Sequence, residues 1–283
     1  MQGINILGSG TFVPENIMTN NDFAEIVETS DEWITTRTGI KQRHISTGEP
    51  TWYLGAMAAK KALVDADVTA SEIDLIIFAT VTADFYFPSM SCMLQREIGA
   101  NNAMTIDIGC ACSGFVYGID MARRYLAFDD VNKVLVVGAE NLSKILDYSD
   151  RTTCILFGDG ASAFVLEASD KAFSSFLGAD GNGARYLVSR HIDTKTRWYR
   201  EEGHIDDKLP CSDKQYLIQD GREVYKFATK ILPFAAEKAL AKLSLKPEDI
   251  DWYVPHQANL RIIQTAAAHL GVSMEKFIVT MEK

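Results

Sequence analysis

No stretch of this 283-residue chain approaches the ~18 consecutive apolar residues of a membrane span. The opening Met1-Gln2-Gly3-Ile4-Asn5-Ile6-Leu7-Gly8 reads as a short strand without the basic region of a leader peptide, so the expected location is the cytoplasm. Basic residues are the minority, 28 Lys and Arg against 38 Asp and Glu; a net charge of -10 argues against a nucleic-acid surface and leaves any acidic partner to a local basic patch. The five cysteines, at 92, 110, 112, 154 and 211, are odd in number and lack metal-type pairing apart from the Cys-x-Cys at 110 and 112. That pattern fits a reducing compartment without structural disulfides. His44, His191, His204 and His269 form no ligand cluster, so no metal site is expected. Gly8-Ser9-Gly10-Thr11-Phe12-Val13-Pro14 reads as a turn rather than a dinucleotide fingerprint, because no helix pattern opens on it. What remains, 47% hydrophobic and 23% charged, is an ordinary soluble chain long enough for one large or two fused domains.

The most informative stretch runs from Asp107 to Tyr117. An apolar strand pattern, Ala103 to Ile108, breaks at small residues and restarts as a helix pattern reaching about Phe128. A strand, a tight turn of small residues (Gly109, Ala111, Ser113, Gly114) and a helix make a nucleophile elbow, with Cys112 near the first helical turn. Unpaired backbone N–H groups and the helix dipole there favour the attacking thiolate. Small buried cysteines are also common intracellular core residues, so spacing alone leaves both readings open for Cys110 and Cys112.

Elsewhere the periodicity predicts helices over Trp52 to Ala66, from Phe87-Pro88-Ser89 to Ile98-Gly99, from about Asp220 to Leu243, and from the Pro255-His256 turn to Leu270-Gly271. Buried strands are expected at Leu75 to Thr80, Lys133 to Ala139, Trp252 to Val254 and Phe277 to Thr280, with Thr152 to Leu166 bending at Gly158 and Gly160. Residues 168 to 218 read as loop and edge-strand insertion. A repeat emerges: helix, Glu72-Ile73-Asp74, strand, turn, helix, Ile98-Gly99, strand matches helix, Glu248-Asp249-Ile250-Asp251, strand, turn, helix, Leu270-Gly271, strand. Duplicated βαβ-type halves predict two similar, mostly parallel sheets covered by helices. Carried over from Gly99 and Cys112, the interval after Gly271 lands one residue past Lys283, so the second half is expected to lack its mirror elbow, a helix and two strands.

His256 occupies the turn after a strand, on the side of the sheet from which the elbow emerges, and at a helix start its imidazole is expected to be neutral. A satisfied core or surface histidine is the competing reading. Trp33 and Arg37 share a helix face, which suits either core packing or a flat phosphate-bearing ligand. Arg222, Lys226 and Lys230 recur every four residues, with Arg261 one turn beyond Gln257; this stripe is a docking surface or a solvated face.

Taken together, Thr29 to Gly39, Phe87-Pro88-Ser89, Cys112-Ser113-Gly114-Phe115, Asp150-Arg151-Thr152-Thr153-Cys154 with Phe157-Gly158-Asp159-Gly160-Ala161, Asp220-Gly221-Arg222-Glu223-Val224, and Val254 to Arg261 resemble the β-ketoacyl-acyl-carrier-protein synthase III family. The resemblance implies an α/β thiolase fold, two duplicated halves in a five-layer αβαβα sandwich, divided as 1–167 and 168–283 with the second half incomplete. It implies decarboxylating condensation of a short acyl-CoA with malonyl-acyl carrier protein, initiating fatty-acid synthesis, by a homodimer needing no cofactor beyond the coenzyme A thioester substrate. Cys112 would carry the acyl group and His256 would help hold the enolate. The family's asparagine beyond the histidine and its closing glycine-rich strand would fall past Lys283, so slow acylation and poor decarboxylation are expected of these residues alone. By the same resemblance Trp33, Arg37 and Arg151 bind the nucleotide, Asn259 and Gly221 line the pantetheine channel, and Phe87 shapes the acyl pocket across the dimer. Arg261 and Lys226 would dock the carrier protein. Cys110 departs from the family's usual small residue, raising oxidation with Cys112 as a question. Two other readings stand beside this one: an acyl-CoA-using relative of secondary metabolism, and an inactive assembly subunit.

Overall fold

The computed structural model describes residues 3–128, 130–189 and 216–282. In chain order its elements are β1 (Gly3–Phe12), β2 (Ile17–Thr19), α1 (Asn20–Ala24), α2 (Asp31–Thr38), β3 (Gln42–His44), α3 (Thr51–Ala66), β4 (Leu75–Ala79), α4 (Met90–Ile98) and β5 (Met104–Ile108). There follow α5 (Gly114–Tyr125), β6 (Lys133–Asn141), α6 (Arg151–Cys154), β7 (Asp159–Ser169), β8 (Leu187–Val188), β9 (Ile218–Gln219), α7 (Gly221–Ala241) and α8 (Leu260–Leu270). His191, His204, Cys211 and most of the 168–218 insertion lie outside the described residues.

The main sheet has the order β1-β7-β6-β4-β5. β4 runs parallel to β5 and β6, whereas β7 runs antiparallel to β1 and β6. The sheet is therefore mixed rather than mostly parallel as expected. Every residue of β4, Leu75-Ile76-Ile77-Phe78-Ala79, is buried, because helices cover both faces. On one face α3 and α4 pack Ala58, Ala62, Met90 and Leu94 against Ile76, Phe78 and Val137. On the other, Ala122 and Leu126 meet Leu75, Ile77 and Val136.

The turn expected at Gly8–Pro14 is instead the continuation of β1, whose ladder to β7 shifts register between Ile6 and Gly8 and runs to Phe12. Its glycines serve helix packing. A Cβ on Gly10 would stand 2.2 Å from the Ala58 carbonyl oxygen, and one on Gly8 2.3 Å from the Ala66 nitrogen, so both let the α3 backbone lie directly on the strand.

In the second half the repeat's order survives, but its sheet does not. α7, a short turn at Pro247–Asp249, a bridge residue Tyr253, α8 and Phe277 follow one another as α3, the turn at Ala70–Glu72, β4, α4 and β5 do. The strands expected at Trp252 to Val254 and Phe277 to Thr280 amount, among the described residues, to one parallel bridge between Tyr253 and Phe277, whose rings stack at 4.7 Å. Trp252 is 62% and Val254 78% exposed, so this stretch is not buried either. A strand with one neighbour and one uncovered face has too few partners for a ladder.

Gly10→Val forces a side chain into the α3 backbone. It should destabilise the chain by about 1–3 kcal/mol, as overpacking does, read as a lowered urea midpoint; an unchanged midpoint would contradict the close approach.

Candidate active site

Three parallel strands end on the same side, β4 at Ala79, β6 at Asn141 and β5 at Ile108, and the elbow rises from the last of them. Cys112 lies in a single 3-10 turn, Ala111–Ser113, and α5 begins at Gly114. The strained residue is Ala111, at φ 44°, a left-handed conformation costing a non-glycine residue roughly 1–2 kcal/mol. Gly114 has ordinary helical geometry and is small for another reason: a Cβ there would meet the Ala79 Cβ at 2.9 Å. Asp107, near the end of β5, accepts the Met90 and Ser91 N–H groups at 2.7 and 2.8 Å, tying α4 to the base of the elbow. Asp120 on α5 is 2% exposed and accepts Arg124 Nε at 2.7 Å and Ser175 Oγ at 2.6 Å, so the elbow helix is anchored to the segment beyond β7.

Cys112 faces a cavity of about 260 Å³ whose walls include Phe115 from α5, Gly138 and Glu140 from β6, Ser162 from β7, and His256. The nucleophile and histidine expected from sequence thus share one cavity. His256 is not at a helix start; it precedes Asn259, the N-cap of α8. Gln257 fixes this segment by donating to the Pro255 and Ile278 carbonyls at 2.9 and 3.0 Å and accepting the Thr280 N–H at 2.9 Å.

Burial holds the His256 imidazolium below its ordinary range, so the ring is neutral as expected, although by desolvation rather than by a helix terminus. The expected thiolate is corrected. Cys112 is exposed at the cavity mouth, yet desolvation pushes its thiol up and the negative Glu140 adds to this, while its own backbone N–H pulls the other way. A helix terminus contributes only about 0.3–1 kcal/mol, less than burial of an ion costs.

The remaining candidates lie away from this cavity's lining. The Trp33 ring has the Arg37 guanidinium 4.3 Å and the Arg151 guanidinium 5.0 Å from its centre. Ser30 caps α2 through the Trp33 N–H at 3.1 Å, and Arg151 donates to the Glu28 carbonyl at 2.6 Å, which fixes the helix turn that carries the indole and one of its two guanidinium partners. Phe87 is 85% exposed. Gly221 opens α7, and Asn259 Oδ1 accepts the Arg261 N–H at 2.9 Å. Arg261 reaches the Thr36 carbonyl at 3.1 Å, Lys226 pairs with Glu223 at 2.5 Å, and α7 meets α8 where Tyr225 Oη lies 3.2 Å from Thr265 Oγ1. Sequence reasoning missed Glu140 and Ser162. A carboxylate closing an otherwise apolar strand, Val134 to Ala139, at the sheet edge where α/β ligands sit, was the available signal for Glu140. Among the described residues no group of three or more His, Cys, Asp or Glu side chains is arranged to hold a metal ion.

A cysteine–histidine cavity at the carboxyl ends of parallel strands, with an elbow feeding a covered helix, is the arrangement of thiolase-fold condensing enzymes. The family described as 3-oxoacyl-[acyl-carrier-protein] synthase III matches residues 106–181, and its C-terminal counterpart matches residues 240–283. A β-ketoacyl-[acyl-carrier-protein] synthase III of Clostridium acetobutylicum is 44% identical over 284 residues, covering 100% of this chain and 85% of that relative. One from Neisseria gonorrhoeae is 43% identical over 289 residues, covering 100% and 85%. The crystal structure of 3-oxoacyl-[acyl-carrier-protein] synthase III from Aquifex aeolicus superposes with a TM-score of 0.89 at 38% identity, covering 99% of this chain and 85% of that one. The chain belongs to the β-ketoacyl-[acyl-carrier-protein] synthase III family, acyl-transferring condensing enzymes.

The elbow anchor is testable by pH. Burial alone would raise the Asp120 carboxyl, but Ser175, Arg124 and Arg123 outweigh it and leave it below the usual 3.8. Its stabilisation is therefore full above about pH 4 and is lost as the pH falls through the lower folded value. Asp120→Asn should cost about 1–3 kcal/mol near neutrality, and urea midpoints of the two proteins should converge on acidification below pH 4; a gap independent of pH would rule out the carboxylate as its source.

Proposed function

We propose that this chain joins a short acyl group, acetyl in the first instance, from its coenzyme A thioester to malonyl-acyl carrier protein with loss of CO₂, the step that initiates fatty-acid synthesis. The observation that carries this reading is the meeting of Cys112 and His256, far apart in the chain, in one cavity. In the first stage the Cys112 sulfur attacks the thioester carbonyl carbon, the bond to the coenzyme A sulfur breaks, and the proton of Cys112 leaves with the coenzyme A thiol. Since one thiol replaces another, a sulfhydryl protonated at rest is compatible with the exchange, provided its proton moves as the new bond forms.

In the second stage the malonyl C–CO₂ bond breaks, CO₂ departs, and its electron pair becomes an enolate on the thioester. The enolate oxygen needs a preorganised donor. His256 is suited to this role because burial keeps it neutral. The enolate carbon then attacks the acyl-Cys112 carbonyl, and the Cys112 thiolate leaves as the β-ketoacyl-carrier protein forms. No resident cofactor takes part.

In this reading the indole of Trp33 with Arg37 and Arg151 receives the nucleotide of coenzyme A, whose phosphates suit guanidinium partners. Asn259 and Gly221, at the starts of α8 and α7, border the path of the pantetheine arm. Arg261 and Lys226 offer positive charge to the acidic carrier protein. A homodimer is supported by β5, which among the described residues pairs only with β4, and by the exposed Phe85 and Phe87 in the loop between β4 and α4. A cytoplasmic setting fits the odd cysteine count and the lack, among the described residues, of a helix long and apolar enough to cross a membrane.

Incubation with acetyl-CoA should add one acyl mass to the protein, located on Cys112 and absent from Cys112→Ala. His256→Ala should still acylate but release CO₂ from malonyl-carrier protein about 10²–10³-fold more slowly, the usual cost of one oxyanion donor. No adduct on the wild-type protein would refute the proposal. Replacing acetyl-CoA by a panel of longer and branched primers tests the secondary-metabolic reading, which a preference for one of those would favour.

A further inference from the structure

Glu140 is a second ionisable group in the Cys112 cavity, and the reaction outlined above gives it no task. Burial pushes the Glu140 carboxyl up, and donors from Thr82, Val81 and Thr80 pull it back toward the carboxylate. Oε1 accepts the Val81 N–H at 2.8 Å, and Oε2 accepts the Thr82 hydroxyl at 2.5 Å and the Thr80 hydroxyl at 3.2 Å. The Val81 amide can only donate, and the two hydroxyls have found the same acceptor. Behind them the Thr82 hydroxyl accepts the Asn141 N–H at 2.8 Å, and Lys144 Nζ binds the Thr82 carbonyl at 2.6 Å and Asp84 at 3.0 Å. The carboxylate therefore pins the turn that follows β4 to the end of β6, forming the cavity wall beside the nucleophile.

We propose that Glu140 is a positioning residue which fixes that wall by its charge and, by the same charge, opposes the Cys112 thiolate until substrate arrives. The inference rests on Cys112 being the nucleophile of the reaction proposed above. Three ionisable groups share the cavity, Cys112 on the elbow, Glu140 on β6 and His256 ahead of α8, and the α5 and β7 walls bring only Phe115 and small residues. Burial keeps His256 neutral, so it does not cancel Glu140. The nearest cation bonded to the wall, Lys144, is paired with Asp84. In its carboxylate form Glu140 thus acts on the sulfur as an uncompensated like charge, which adds to burial in disfavouring the thiolate. The device guards a cysteine that is open to solvent: the attacking form is scarce in the resting enzyme, so reaction with adventitious electrophiles and oxidants is slowed.

The test is the pH dependence of Cys112 alkylation by iodoacetamide, in which the thiolate attacks the methylene carbon, iodide leaves and the thiol proton passes to solvent. Adducts are assigned to Cys112 by fragmenting the labelled peptide, which separates them from those on Cys110, two residues away, and on Cys92. In Glu140→Gln the half-point should move down, with alkylation near pH 7 several-fold faster, while Glu140→Asp, which keeps the charge, should stay near wild type. A Glu140→Gln profile that is unmoved or displaced upward, or a Glu140→Asp profile equal to that of Glu140→Gln, overturns the proposal. Circular dichroism establishes folding of each variant. If Glu140→Gln does not fold, Thr82→Val, which strips one donor and lets Glu140 take up a proton more readily, must move the half-point down by a smaller amount, and an unmoved profile there overturns it equally. Alkylation requires no acyl-CoA, so absent acetylation with a shifted profile would sink the proposed reaction and spare Glu140's role, and normal acetylation with an unmoved profile would do the reverse.

Discussion

Carboxylates accepting backbone N–H groups close both ends of the central sheet, and the site depends on them. At the amino end Asp74 takes the Asn132 and Lys133 N–H groups at 2.7 and 3.0 Å, setting where β6 begins beside β4. At the carboxyl end Asp107 caps α4, Glu140 holds the turn after β4, and Asp159 takes the Ser46 and Ser143 N–H groups at 2.7 and 2.9 Å. Asp84 caps α3 through Thr51 and Trp52. Loops leaving a parallel sheet expose amides that no ladder satisfies, and a charged acceptor is worth about 1.5–3 kcal/mol to each contact. The same charges set the field of the cavity they frame. A chain with 38 acidic residues uses several of them structurally, so acidity here is partly a property of the scaffold.

That choice has a chemical consequence at Cys112. An elbow on a helix terminus ordinarily favours an anion, but here a clamp carboxylate sits in the same cavity and burial raises the cost of a second negative charge. The two demands are reconciled if the charge on sulfur exists only while a thioester carbonyl is beside it. Neutral His256 suits such a site, since an imidazolium would stabilise a standing thiolate.

Much of the site was legible in the sequence because it is local. Small residues at 109, 111, 113 and 114 between a strand and a helix pattern mark an elbow wherever they fold, and the Glu72-Ile73-Asp74 and Glu248-Asp249-Ile250-Asp251 echo exposed the repeat that brought His256 to Cys112. What failed was what depends on neighbours. Gly8 and Gly10 read as a turn because glycine's freedom is visible in sequence and the nearness of α3 is not. Trp252 to Val254 has the composition of a strand but lacks flanking ladders. The parallel character expected of the sheet was lost at β7, whose hairpin-like return beside β6 leaves no trace in periodicity. Glu140 left only a weak signal, because a carboxylate at a strand end looks like a solvated terminus until Thr80 and Thr82 are seen to enclose it.

The proposed docking of an acidic carrier protein meets a chain of net charge -10, an electrostatic conflict that distance resolves. At physiological ionic strength charges more than about 8 Å apart are largely screened, so the global excess acts weakly and the contact is decided by the nearest few side chains. Arg261 is tethered to the Thr36 carbonyl on α2, and α8 is held to α7 by the Tyr225 and Thr265 hydroxyls. These contacts set Arg261 and the α7 lysines on adjoining helices whose relative position is fixed. Lys226 spends part of its charge on Glu223, one turn away, and must break that exposed pair to engage a partner. Exposed pairs are worth at most about 1 kcal/mol, so the exchange costs little and the arriving phosphate or carboxylate replaces Glu223. A tethered arginine for register and a lightly held lysine for charge would let an acidic protein recognise an acidic enzyme without tight binding, which suits a carrier that must leave after every turnover.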